Sequence, residues 1–79
     1  MRQVQQSVNV AVDPNGHPSR LEGPRTPVNV RRVLDCWRYG GRWWMNEGPR
    51  DYYLLELETG HVFEVYRCAE RWTLSRIAD

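Results

Sequence analysis

Residues 51–77, DYYLLELETGHVFEVYRCAERWTLSRI, decide the fold. Tyr53, Leu55 and Leu57 recur at every second position, the period of a strand with one face buried, over Asp51 to Glu58. Thr59-Gly60 then supplies a turn. From His61 to Arg67 the alternation resumes, with Phe63 and Val65 on the face opposite Val62, Glu64 and Tyr66. Ala69-Glu70 turns the chain once more, into a strand from Trp72 to Ile77. Three strands joined by tight turns make an antiparallel meander.

Working toward the N-terminus, Arg42 to Met45 reads as a short strand and Asn46 to Pro49 as a loop, with Gly40-Gly41 as the turn before them. Val28 to Tyr39 is the longest regular stretch. Val28, Val30, Val33, Leu34 and Trp37 fit neither strict alternation nor a helical stripe, which a strand bulged near Arg31 and Arg32 explains. That single shift puts Val28, Val30, Val33, Asp35 and Trp37 on the inner face. A short helix over Val30 to Arg38 is the competing reading, disfavoured by the β-branched first half. Upstream, Val8, Val10 and Val12 alternate with polar or small residues, and Asp13-Pro14-Asn15-Gly16 follows as a hairpin turn with positive φ expected at Asn15 and Gly16. The returning segment, Ser19 to Glu22, is cut short by Gly23, Pro24 and Pro27 and is expected at a sheet edge. Residues 1–7 read as a flexible leader or weak edge strand, and residues 8–79 as a single domain. The expected class is all-β: a small curled antiparallel sheet or SH3-like barrel of five to seven short strands.

A chain of 79 residues accommodates one small domain, which excludes a two-domain enzyme. Its apolar share of 41%, with four Trp and four Tyr, exceeds that of disordered segments, and no apolar run approaches a bilayer span. Eleven basic and ten acidic residues leave a net charge of +1, too balanced for recruiting polyanions by long-range field alone. All the basic residues are Arg, which a GC-rich genome explains more readily than selection for stacking and bidentate anion contacts. Cys36 and Cys68, far apart and without a secretory signal, point to two thiols in a reducing cytoplasm.

Neighbouring residues on a strand diverge, so Trp43-Trp44 and Tyr52-Tyr53 each place one large ring away from the core. With Arg38, Arg42 and Arg50 nearby in sequence, such rings form a candidate binding face: aromatics stack on unpaired bases and guanidinium groups meet phosphates. Trp, Tyr and Arg are also the usual anchors of protein interfaces. The alternative is structural, both faces being buried under the leader or the Gly23–Pro27 loop with Arg stems covering the rings. Asp35, if inward, needs a partner such as Arg76. Catalysis would require Asp35, Glu47, Asp51 or His61 to converge. His17, Cys36, His61 and Cys68 lack paired metal-ligand spacing, so neither a metal nor any other cofactor is expected.

Val33-Leu34-Asp35-x-Trp37-Arg38, Gly41-Arg42-Trp43-Trp44, Arg50-Asp51-Tyr52-Tyr53 and Leu74-x-Arg76-Ile77-x-Asp79 together resemble an uncharacterised bacterial domain family over residues 28–79. Its members occur as small standalone proteins, and a similar segment ends the inactive Y-family polymerase-like subunit of the bacterial mutasome. The resemblance implies a setting near DNA-damage tolerance and marks Trp37, Trp43, Trp44, Tyr52 and Tyr53 as signature positions. It carries over no catalytic residue. The expectation is therefore a non-enzymatic binding module, linked to DNA repair or translesion synthesis, whose Arg and aromatic face engages a partner protein or single-stranded nucleic acid and no membrane. A structural homo-oligomeric domain, such as a homodimer covering its exposed rings, is the alternative.

Overall fold

In the computed structural model, which describes residues 2–22, 27–41 and 48–78, six antiparallel strands close into a barrel in sequence order. They are β1 (Arg2–Val12), β2 (Pro18–Glu22), β3 (Val28–Tyr39), β4 (Arg50–Leu57), β5 (Val62–Cys68) and β6 (Arg71–Ala78). Closure depends on two long strands that each serve two neighbours. β1 pairs with β6 over Arg2 to Val8 and with β2 over Asn9 to Val12, whereas β3 pairs with β2 at Val28 and Asn29 and with β4 from Val30 to Tyr39. The interior is filled by Leu21, Leu55, Leu57, Val65 and Leu74, against which Val4, Val8, Val10, Val28, Val30, Val33, Tyr53, Phe63, Trp72 and Ile77 pack. The meander of β4, β5 and β6 stands where the alternation puts it, with Tyr53, Leu55 and Leu57 inside.

The connections follow turn chemistry. Gly16 and Gly60 each take a positive φ, at 84° and 92°, after a backbone bond from their N–H to Asp13 O and Leu57 O. Asn15 does not share that conformation, contrary to expectation: Pro14 fixes its own φ near the helical value, so the turn is centred on Pro14-Asn15 and only Gly16 enters the left-handed region. Asp13 Oδ1 accepts from the Asn15 and His17 N–H groups, both at 2.9 Å, and holds that turn. Between β5 and β6 the two-residue turn puts Ala69 and Glu70 at φ 50° and 66°, values that L side chains resist.

Three expectations are corrected. Residues 2–7 are not a leader but the first half of β1, with Val4 packed on the core and a bulge at Gln5 (φ 56°) accommodating the register shift against β6. β2 is no edge strand: it hydrogen-bonds β1 and β3, although its pairing with β3 spans only Arg20 and Leu21, and Pro18 sits at its start where a missing donor is tolerated. Finally, β3 is a strand throughout with two register shifts, the expected one between Val30 and Arg32 and another between Val33 and Asp35. A second one-residue shift restores the opposite parity, so Asp35, Trp37 and Tyr39 point outward. Asp35 is exposed, accepts from the Cys36 N–H at 2.8 Å and needs no buried partner, while Arg76 faces Glu64. The strand expected over Arg42 to Met45 lies outside the described residues.

Candidate functional site

Tyr52 and Tyr53 diverge as extended backbone requires. Tyr53 turns inward, its ring 5.6 Å from that of Trp72 and 6.2 Å from that of His17. Tyr52 turns outward into an aromatic row that crosses three strands in register: Trp37 on β3, Tyr52 on β4 and Tyr66 on β5. Trp37 and Tyr52 are stacked, with centroids 5.3 Å apart and planes 3° from parallel, and Tyr66 follows at 5.1 Å. Trp37 and Tyr39 remain 41% and 44% exposed, so the row has an open end on β3.

Arg50, opposite Tyr39 in the register, lies across this row. Its guanidinium sits 4.7 Å from the Tyr66 centroid and donates to Tyr52 Oη at 3.4 Å. That hydrogen bond raises the Arg50 pKa above its ordinary value despite partial burial, and the guanidinium, charged at any physiological pH, stands as a cation among the rings. On the other side, β6 carries an extra residue opposite Glu64 and Val65, so that Ser75 and Arg76 both face out beside Glu64. Glu64 and Ser75 are 8% and 3% exposed. Ser75 Oγ donates to Glu64 Oε2 at 2.7 Å, and Arg76 Nε lies 3.6 Å from the same oxygen. Trp37, Tyr39, Arg50 and Tyr52, together with Glu64, Ser75 and Arg76, line an open groove of about 460 Å³. A second groove of about 510 Å³, lined by Tyr66, Cys68, Arg71 and Thr73 among others, shares Arg50 with the first.

Of the residues singled out in the sequence, Arg50 and Tyr52 are brought together here. Arg38 belongs to a different group: with Arg67 it flanks Asp51 at 3.5 Å on each side, on the parity of Tyr53. Arg42, Trp43 and Trp44 lie outside the described residues, as does Glu47. Asp35, Asp51 and His61 are dispersed over β3, β4 and the β4–β5 turn, where His61 Nδ1 bonds Thr59 Oγ1 at 3.0 Å. Cys36 and Cys68 are free thiols on β3 and β5, with β4 between them. Among the described residues no cluster of His, Cys, Asp or Glu is arranged to hold a metal, and no helix is long and apolar enough to cross a membrane.

Tyr39, Tyr66, Glu64, Ser75 and Arg76 were missed as site residues. The outward parity of Tyr66 and Glu64 was visible in the alternation of β5, but their convergence with Trp37 depends on the bulges of β3 and β6. No family model, curated protein or solved structure matches the chain. The groove is therefore read from its own chemistry.

Proposed function

We propose that this chain is a non-enzymatic binding module that holds single-stranded nucleic acid on the outer face of its barrel. The reading is carried by the stacked Trp37–Tyr52 pair, open at Trp37 and flanked by Arg50 and Arg76. An exposed ring already stacked on another is a rigid platform for a base, and stacking is worth about 1–3 kcal/mol per base. The guanidinium groups supply phosphate contacts locally, as a chain of net charge +1 must. The resemblance of residues 28–79 to the mutasome segment supports a DNA-repair or translesion setting.

Titration of a labelled oligonucleotide of about 12 nucleotides, followed by anisotropy, tests this. Binding is expected at low salt, weakening with a log–log slope near −1.4 for about two phosphate contacts. Trp37→Ala is expected to reduce affinity roughly fivefold to a hundredfold, the equivalent of one lost stack. Absence of binding at low salt refutes the proposal.

A second reading has its own support. Leu34, Trp37 and Tyr39, three of the four exposed large hydrophobics among the described residues, share the second half of β3, as a homodimer contact would require. Sedimentation at two protein concentrations separates the readings, since a dimer that covers Trp37 closes the platform to nucleic acid.

A further inference from the structure

The second groove differs from its neighbours in charge. The groove at Trp37 holds Glu64, the one along β1 holds Glu22 and Glu70, and the one beside the β1–β2 turn holds Asp13. The second groove is lined by Arg50 and Arg71, with no carboxylate among its described residues. Register brings the two arginines together. Cys68 pairs with Arg71, and Arg50 stands one step beyond the Asp51–Arg67 pair, so β4, β5 and β6 present Arg50, Cys68 and Arg71 as one outward row. Two strand spacings, about 10 Å, separate the outer members. Arg50 has already crossed one of them: its guanidinium lies over the ring of Tyr66 on β5, anchored by that face and by Tyr52 Oη. Arg71 is exposed and belongs to no ion pair among the described residues, although it also borders the groove of Glu22 and Glu70. Thr73, opposite Tyr66 in the register, adds a hydroxyl that can donate. Two guanidinium groups and a hydroxyl around the small Cys68 make a donor-rich pocket, whose complement is a compact anion with several oxygens.

Resting on the single-strand reading above, we infer that the second groove seats a backbone phosphate of the same strand, held between Arg50 and Arg71. Arg50 lines both grooves, so a strand with one base on the open face of Trp37 meets it as the next cation toward β6. From Trp37 on β3 to Arg71 on β6 is three strand spacings, about 14 Å, which an extended single strand covers in a few nucleotides. The phosphodiester is the only anion such a strand offers along its length. The nucleic acid therefore crosses the barrel strands from β3 toward β6, and Arg71 adds affinity that depends on salt and not on the base.

Anisotropy titrations of a labelled oligo(dT) of about 12 nucleotides, repeated between about 50 and 200 mM salt, test this. A third phosphate contact is expected to steepen the log–log slope from near −1.4 to about −2.1, and Arg71→Gln, an exposed change that leaves the interior untouched, is expected to return it to near −1.4. Arg20→Gln, the same change of charge on β2, is expected to keep the slope of the native chain. A 5′-phosphate added to the oligonucleotide is expected to leave the effect of Arg71→Gln as it was. A native slope near −1.4, an unchanged slope in Arg71→Gln, or an equal loss in Arg20→Gln overturns the inference and leaves the single-strand reading standing. An Arg71→Gln effect that appears only with the 5′-phosphate overturns it in favour of a site for strand ends. Absence of binding by the native chain at low salt overturns both.

Discussion

The β4–β5–β6 meander and the second half of β3 are both rich in large apolar residues, yet one forms the interior and the other is bare. In the meander, Leu55, Leu57, Val65 and Leu74 are buried, with Leu55 and Val65 wholly inaccessible. In β3, Leu34, Trp37 and Tyr39 all exceed 40% exposure. Hydrophobicity does not separate them; pairing and parity do. β5 has a partner on each side along its length, and its inward Val65 belongs to the same core cluster as Leu21, Leu55, Leu57 and Leu74. Beyond Val30, β3 is paired with β4, and the second register shift rotates its large side chains outward.

The sharpest way to break this comparison is to truncate one residue of each kind. Leu55→Ala is expected to cost about 2–5 kcal/mol, because it opens a cavity at a fully buried site in a domain with few other core residues. Trp37→Ala removes a larger side chain but is expected to cost about 1 kcal/mol or less, the scale of its stack on Tyr52. Urea unfolding of both variants checks the pair. Equal losses would mean that the second half of β3 is a part of the core, and the binding face would lose its basis.

What was legible in the sequence follows the same division. The meander could be read because its period is uninterrupted and its turns carry Gly60 and a two-residue link. The divergence of Tyr52 and Tyr53 was legible for the same reason. β3 could be read only as far as its first bulge. Bulges leave no fixed residue signature, and each reverses every side chain after it, so one missed shift at Val33–Asp35 moved Asp35 and Trp37 to the wrong face. The site suffered twice, because a further bulge in β6 sets Ser75 and Arg76 beside Glu64. Closure by β2 was hidden by its prolines, which mark a short pairing as readily as an edge.

A smaller effect concerns the turn that lets β6 return. Ala69 and Glu70 both occupy the left-handed region that Asn-Gly fills without strain. The double change Ala69→Asn with Glu70→Gly is expected to stabilise the domain by about 1 kcal/mol, raising Tm by roughly 4–8 °C. Differential scanning calorimetry reads this directly. An unchanged or lower Tm would show that Glu70 makes a compensating contact at the meander's end, and that the meander is less regular than its pattern.

The smallest effect lies at the first bulge of β3, where the two regions are tied together by charge. Arg32 Nη2 is 2.9 Å from Glu56 Oε2 and Arg31 Nη1 is 3.7 Å from Glu56 Oε1. The hydrogen bond from Arg32 holds the Glu56 pKa below its ordinary 4.5, outweighing the opposing effect of burial with help from the charges of Arg32 and Arg31. A carboxylate whose pKa is depressed by folding stabilises the native state above its unfolded pKa, and that contribution fades as pH falls through the folded one. The Tm difference between the native chain and Glu56→Gln should therefore be constant near neutrality and shrink as pH is lowered from about 5 toward 3. High salt should shrink it too, since both arginines are open to solvent. A difference that persists unchanged at acid pH would show that Glu56 holds the bulge by shape and hydrogen bonding, not by charge, leaving β3 to be shaped by packing alone.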